Sequence, residues 1–271
     1  MVRDISFGQY LPGNSVIHKL DARVKIVLIF AYIVFIFFCR NFYSLALAAV
    51  FAAAAIVSAK IPAKSILKSM KPVVIILIFT TILNIFYIGG GTTLFSWKIF
   101  TITDKGLYTA AFMAIRIICL IAVSSILTYT TTPTALTDAI ERLLSFLKPF
   151  KVPVHSLAMM MTLALRFIPT LIEEIDRIIN AQKARGADFE SGSLRRRVKA
   201  LLPILIPLFV SAFRRAYDLA FAMECRCYHG GEGRTRMKQM HVSVRDFIIS
   251  GITLAVFAGI IVLNHFFGRL V

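Results

Sequence analysis

The stretch FYSLALAAVFAAAAIVSA, residues 42–59, decides the fold class because none of its residues carries a charge. A continuous apolar run of about 18 residues or more is long enough to cross the hydrocarbon core of a bilayer as a helix. The alanines at positions 52–55 are small enough to let a neighbouring helix approach closely in lipid. The stretch therefore predicts a transmembrane helix that packs against other helices.

Further apolar runs flank this stretch, and they cover residues 26–39, 72–88, 107–131 and 247–267. Of the 271 residues, 58% are hydrophobic, whereas a soluble domain averages roughly 45–50%. Lys25 and Arg40 border the first run, where we expect both to snorkel towards water. The chain is thus predicted to be an all-α, polytopic membrane protein with about five transmembrane helices.

Most of the basic residues lie in two blocks, 60–71 and 148–238, and the chain has a formal net charge of +17. Basic loops beside membrane spans favour the cytoplasmic side. We therefore predict a protein of the cell membrane whose N-terminus and two basic blocks face the cytoplasm. Residues 89–105 are predicted to form a turn or hairpin on the outer side. Five spans would place the C-terminus outside. A nucleic-acid partner is not expected, because the sequence lacks a basic groove interleaved with aromatic residues and any known nucleic-acid module.

The segment 133–245 is too long for a loop and too basic to cross a membrane, so it predicts a cytoplasmic or interfacial helical domain. We expect one helix to begin at Thr132-Pro133, a second to cover 154–183 with a kink at Pro169, and a third to begin near residue 195. The predicted organisation is a cytoplasmic N-terminal segment (1–25), a four-helix transmembrane region (26–132), the inserted helical domain (133–245) and a final transmembrane helix (246–271).

Two tripeptides end the second and third of these helices: Ala184-Arg185-Gly186, the first tripeptide, and Cys225-Arg226-Cys227, the second tripeptide. Each places one arginine between small residues, so that a fork with five N–H donors is free to enter an acidic pocket. A pair of such forks predicts a partner with two equivalent binding sites. The alternative for each arginine is that it only complements the dipole at a helix C-terminus.

Arg116 lies inside the apolar run 107–131, where an ionisable residue is a candidate for function. The alternative is a structural hydrogen bond to a neighbouring helix, with Asn84 as a possible partner. Cys225 and Cys227, with His229 and His241 nearby, suggest a metal site. Residues two apart on a helix point to nearly opposite sides, however, so small flanks for Arg226 are the favoured interpretation.

Catalytic, cofactor-binding and metal-binding residues are not predicted in this chain. A phosphate loop of the form GxxxxGK[ST] is absent from the sequence, and every Asp and Glu lies outside the apolar runs or at their ends. Any energy source must therefore come from another chain.

Sequence blocks spread over nearly the whole chain carry a family resemblance. The blocks are YLPGNS (10–15), HKLDARVK (18–25), TTTP (130–133), VPVH (152–155), LALRFIPTL (163–171), the first tripeptide and YHGGEGRTR (228–236). Together they resemble the transmembrane coupling subunit, or T component, of energy-coupling factor (ECF) transporters. In that family the second tripeptide is usually Ala-Arg-Gly, so this chain keeps Arg226 but replaces both flanks by cysteine.

The resemblance implies that Arg185 and Arg226 dock on two ABC-type ATPases, one arginine on each. ATP would be bound by those partners and not by this non-catalytic chain. The membrane helices and the apolar parts of the coupling helices would hold a small membrane subunit, the S component, that captures a vitamin or micronutrient and determines the substrate.

Two alternatives to a shared coupling subunit remain at this point. One is a T subunit dedicated to a single cobalt, nickel or vitamin system. The other, from a different class, is a membrane-embedded lipid-modifying enzyme, for which Glu173, Glu174 and Asp176 form the best acidic cluster. A self-sufficient channel is disfavoured because the sequence has no filter-like motif.

Overall fold

The computed structural model describes residues 10–87, 93–97, 100–187, 194–230 and 240–266. The described chain is helical apart from one β-hairpin, and it divides into two compact units. The bundle unit comprises Gly8–Leu136 and Gln239–Val271, and the helix-pair unit contains Thr137–Lys238.

The bundle unit contains five long helices and the hairpin. The helices are α1 (Ala22–Phe38), α2 (Phe42–Ala59), α3 (Ala63–Tyr87), α4 (Asp104–Thr130) and α8 (Val244–Phe266). The hairpin pairs β1 (Thr93–Trp97) with β2 (Phe100–Thr103) in antiparallel register, so a hairpin does form within the predicted 89–105 connection. Residues 89–91 of that connection lie outside the described residues.

Five helices of the described chain are long and apolar enough to cross a membrane, namely α2, α3, α4, α6 (Val154–Ala184) and α8. Four of them coincide with predicted spans, and the all-α multi-pass class is confirmed. The remaining predicted span is α1, which has 17 residues and lies at the short end of the range that spans a bilayer. The helix α6 belongs to the segment 133–245, whose cytoplasmic or interfacial location stays a prediction.

The third span begins earlier than predicted. We expected it to start at Pro72, but α3 begins at Ala63 and continues through that proline. The lysines of the first basic block are therefore helical, except for Lys60, which ends α2 in the left-handed conformation with φ 55°. The difference arises because charge lowers hydropathy without disfavouring a helix, and lysine is a good helix former.

Side-chain caps explain where several helices begin. Asp21 accepts the Arg23 N–H at 2.9 Å before α1, and Thr103 accepts the Gly106 N–H at 3.2 Å before α4. Thr132 accepts the Ala135 N–H at 3.3 Å, so the predicted cap of α5 (Pro133–Leu143) is present. Such caps satisfy N–H groups that have no partner inside the helix.

The core of the bundle unit lies between α1, α2, α4 and α8. Phe35 of α1 stacks on Phe257 of α8 with ring centroids 3.9 Å apart. The Tyr32 hydroxyl donates to the Ala48 carbonyl at 3.0 Å, and Ala48 and Ala52 are both buried. The small residues of α2 thus allow the close approach that the alanine run predicted.

The helix-pair unit holds the rest of α5, a short 3₁₀ helix (Leu144–Phe150), α6 and α7 (Leu194–Glu224). Both long helices have 31 residues. The helix α6 is continuous through Pro169, and α7 through Pro203 and Pro207.

Candidate functional site

The first tripeptide forms a Schellman cap at the end of α6. Gly186 has φ +86°, and its N–H bonds to the Lys183 carbonyl at 3.0 Å. The next N–H, of Ala187, reaches the Gln182 carbonyl, also at 3.0 Å. A left-handed residue at this position favours glycine, which has no Cβ to clash. The glycine of the tripeptide therefore ends the helix directly after Arg185.

The second tripeptide builds the same cap on α7. Cys227 takes the left-handed conformation with φ 53°, and its N–H bonds to the Glu224 carbonyl at 2.8 Å. The Tyr228 N–H reaches the Met223 carbonyl at 3.1 Å. Cys227 thus occupies the place of Gly186, at the steric cost that a non-glycine residue pays there.

The two arginines are structurally equivalent, since each immediately precedes the left-handed residue of its cap. Both Arg185 and Arg226 are exposed. In the part of the chain that the structure describes, neither guanidinium takes part in an ion pair or a side-chain hydrogen bond. The structure therefore presents the two predicted forks in the same backbone setting and open to a partner.

The helices α6 and α7 lie antiparallel, so the two tripeptides are at opposite ends of the pair. Near the first tripeptide, Gln182 contacts the Pro203 carbonyl at 3.5 Å. In the middle, Arg215 forms an ion pair with Glu174 at 2.8 Å. Beyond the second tripeptide, the Tyr228 hydroxyl lies 3.0 Å from Met159 Sδ. At 1.5 Å per helical residue, the arginines are on the order of 40 Å apart along the pair.

The helix α7 exposes a long apolar face. Its members are more than 45% exposed, and they are Leu201, Leu202, Leu205, Ile206, Phe209, Val210, Phe213, Tyr217 and Phe221. Exposed apolar surface of this extent marks a contact with a partner or with lipid.

Four residues from distant parts of the chain form a capping cluster in the bundle unit: Asp21, Lys25, Thr130 and Asp246. The buried Asp246 carboxylate accepts the Asp21 N–H at 2.9 Å and the Ser243 N–H at 2.6 Å. The Lys25 ammonium, also buried, donates to the Thr130 carbonyl at 3.0 Å. The cluster ties together the start of α1, the end of α4 and the start of α8.

Sequence reasoning missed the capping cluster, and the expectation that Lys25 snorkels towards water is wrong. Its ammonium group is held by backbone carbonyls and not by solvent, whereas Arg40 is exposed. The signal that was available is the block HKLDARVK, which contains both Asp21 and Lys25. Burial acts to raise the pKa of Asp21, but hydrogen bonds from the Arg23 side chain and backbone hold that pKa below its ordinary value.

Arg116 has a structural hydrogen bond to a neighbouring helix. Its Nη2 donates to the Cys39 carbonyl at the end of α1, at 2.8 Å, and its guanidinium lies 4.7 Å from the Phe112 ring centroid. Asn84, the suggested partner, instead donates to the Thr80 carbonyl in its own helix at 2.9 Å. Arg116 thus anchors the end of α1 against the middle of α4.

Comparison with known proteins identifies the family to which this chain belongs. The model of the CbiQ family, described as a cobalt transport protein, matches residues 13–237. The chain belongs to the CbiQ family. The chain is 53% identical over 267 residues to the energy-coupling factor transporter transmembrane protein EcfT of Ruminiclostridium cellulolyticum, which covers 98% of this chain and 100% of that relative.

Relatives of the same name in other bacteria also match this chain over nearly their whole length. The protein of Clostridium kluyveri is 53% identical over 92% of this chain and 93% of its own length. That of Bacillus subtilis is 43% identical over 94% of this chain and 97% of its own length. This member of the CbiQ family is accordingly a multi-pass membrane protein, and its relatives are named as transporter subunits.

The structure also bears on two alternatives from the sequence, the metal site at Cys225 and Cys227 and the enzyme that would use the acidic cluster. Cys225 and Cys227 are both exposed. Within the described residues, no three His, Cys, Asp or Glu side chains lie close enough together to hold a metal ion. Of the acidic cluster proposed for an enzyme, Glu174 is engaged by Arg215, and Glu173 is exposed. For this CbiQ-family chain, the cap gives Cys227 a conformational role.

We expect Cys227→Gly to strengthen the cap of α7, and Cys225→Gly to weaken it. Removing the left-handed strain at residue 227 stabilises the cap by about 1–2 kcal/mol. The greater flexibility of glycine in the unfolded state offsets about half of this stabilisation. The net gain of about 0.5–1 kcal/mol corresponds to about two- to fivefold slower exchange of the Tyr228 amide hydrogen. Hydrogen–deuterium exchange of the peptide around residues 223–230 measures it. Cys225→Gly is the matched control, because Cys225 lacks a positive φ; equal effects of the two changes would contradict the assignment.

Proposed function

We propose that this chain is the coupling subunit of an ECF transporter and transmits ATP-driven motion of two ABC-type ATPases to S components. The observation that carries the proposal is the pair of equivalent arginine caps at opposite ends of α6 and α7. Two identical presentations, on the order of 40 Å apart, suit a partner made of two homologous subunits. Each ATPase would receive one arginine.

The helix pair is suited to passing on a movement. The ion pair between Glu174 and Arg215 and the contact between Tyr228 and Met159 hold α6 and α7 together at separate levels. A packed helix pair held at both ends transmits displacement over tens of ångströms, because packed elements shift as bodies and do not deform continuously. Closure of the ATPases would therefore move the pair as a lever.

The S component would bind the exposed apolar face of α7 together with exposed membrane helices. The helix α3 is also largely exposed, with Ile75 at 76% and Phe79 at 62%. Exposed apolar surfaces of this kind favour a protein partner that itself carries the substrate. The substrate class would be vitamins or other micronutrients, and this chain would bind neither substrate nor ATP.

The capping cluster supports the predicted orientation. It places the start of α1, the end of α4 and the start of α8 at one end of the bundle unit, so the N-terminus and the segment 131–243 leave from the same end. Lys60 ends α2, and Lys64, Lys68 and Lys71 lie in the first turns of α3, where the Tyr129 hydroxyl near the end of α4 donates to the Ser65 carbonyl at 2.9 Å. Basic residues collect on the cytoplasmic side, so we assign this end to the cytoplasm.

A dedicated cobalt or nickel system is the second candidate, because the matching family model is described as a cobalt transport protein. The deciding experiment is a mild-detergent pull-down of the tagged full chain from its native membrane, followed by identification of its partners. Two ATPases with several different small membrane proteins would support the shared coupling subunit. A single small membrane partner would support the dedicated subunit, and the absence of both ATPases would overturn the proposal.

A further inference from the structure

The bundle unit contains a cavity of about 360 Å³ between α1, α2, α4 and α8. Its walls come from apolar side chains such as Leu28, Ile29, Val123 and Ile126, and Val16, Ile17 and Leu20 line it near the start of α1, where Val16 is also exposed. A volume of this size lies at the lower end of small-molecule pockets, which run from about 300 to 1,000 Å³.

Three of the polar side chains at the cavity wall are already engaged in the protein. The Tyr32 hydroxyl donates to the Ala48 carbonyl at 3.0 Å, and the Thr253 hydroxyl donates to the Ile249 carbonyl at 2.8 Å. The Lys25 ammonium donates to the Thr130 carbonyl. A buried water needs two to four polar partners, so a cavity of this composition favours an apolar occupant.

The cavity opens sideways between α2 and α8. On that side its lining residues Ala54, Ser58 and Ile252 are exposed. Further along, the same two helices pack tightly: a Cβ added to Gly259 would lie 3.2 Å from Leu47 Cδ2. Since α2 and α8 are both spanning helices, the opening faces the hydrocarbon of the bilayer.

Positive charge borders the cavity where it approaches the membrane surface. Lys60 ends α2 two residues after Ser58, and Arg245 lies in the first turn of α8, one turn before Ile249. Both side chains are exposed. The neighbouring Asp246 does not offset them at the surface, because it is buried and accepts the Asp21 and Ser243 N–H groups.

We propose that this cavity binds one acyl chain of an anionic phospholipid, whose headgroup lies between Lys60 and Arg245. The apolar wall selects the chain, and the two cations select the charge of the headgroup. Basic residues near a membrane surface attract anionic lipid in this way. A lipid bound here would fill the space between α2 and α8 and brace the bundle unit beside the capping cluster. The proposal does not depend on the coupling function.

The test uses the full chain reconstituted in vesicles of phosphatidylcholine that contain phosphatidylglycerol with a photoactivatable acyl chain. Mass spectrometry then maps the crosslinked residues. We expect crosslinks on residues 54–58 of α2 and 249–253 of α8. Ala54→Phe fills the cavity and removes these crosslinks, whereas Ala53→Phe, at an exposed neighbour that does not line the cavity, preserves them. Equal crosslinking in both variants would overturn the site.

A second pair of variants tests the headgroup and does not depend on filling the cavity. Lys60→Gln with Arg245→Gln should lower crosslinking by phosphatidylglycerol about tenfold. Lys64→Gln with Lys68→Gln on α3 removes the same charge and should change it little. Loss of crosslinking in both pairs would show general surface attraction and overturn the headgroup assignment. Displacement of the probe by a co-purified membrane partner would show that the cavity belongs to that partner, and would also overturn the proposal.

Discussion

Replacing both Arg185 and Arg226 by glutamate is expected to abolish co-purification of the two ATPases while the chain still inserts into the membrane. Each arginine is exposed at a helix cap, so its loss removes no internal contact. Removing one partner of a desolvated charge pair typically costs about 2–5 kcal/mol of association, and reversing the charge adds repulsion from the acidic pocket. Quantifying the ATPases by immunoblot after affinity purification in mild detergent gives the result.

The matched control is Arg177→Glu with Arg214→Glu. These arginines are also exposed, lie one on each of α6 and α7, and give the same change of net charge. The control should retain both ATPases, because its residues lie within the helices and not at the caps. Retention of both ATPases by the Arg185 and Arg226 double variant would contradict the docking role, as would equal loss in the control.

Asp246→Ala is expected to lower the free energy of unfolding by about 3 kcal/mol. The substitution removes the buried carboxylate that accepts the Asp21 and Ser243 N–H groups, and a hydrogen bond to a charged group contributes about 1.5–3 kcal/mol. Thermal unfolding of the purified chain in detergent measures the change.

Two variants make this second test specific. Asp246→Asn keeps one oxygen as an acceptor, so it should lose less stability than alanine. Phe247→Ala changes the next residue, whose side chain is 71% exposed, and should leave stability nearly unchanged. An Asp246→Ala protein that unfolds at the wild-type temperature would show that the capping cluster does not hold the three helices together.

The sequence predicted the membrane helices well where hydropathy alone decides. The span over 42–59 coincides with α2, because an apolar run of this length has no other low-energy environment. Prediction failed at the start of α3, where charge and helix formation are independent properties. It failed for Lys25 because the Thr130 carbonyl that binds its ammonium is 105 residues away in sequence.

The candidate site shows the same division between local and distant information. Arg185 and Arg226 could be singled out because both stand between small residues at the end of a helical pattern. The similarity of their two caps could not be predicted, because Cys227 adopts the left-handed conformation for which glycine is the usual sequence signal. The antiparallel course of α6 and α7 also depends on contacts such as Arg215 with Glu174, 41 residues apart, which no periodicity reveals.

The hydrogen bond between Asp21 and Asp246 has a consequence for biosynthesis, because it joins residues 225 positions apart. A ribosome delivers the first four helices of the bundle unit, then all of the helix-pair unit, and only afterwards α8. Until that last helix enters the membrane, the N-terminal end of α1 lacks its carboxylate acceptor. The bundle unit is therefore complete only in chains translated through α8, and a product that ends before α8 lacks this acceptor.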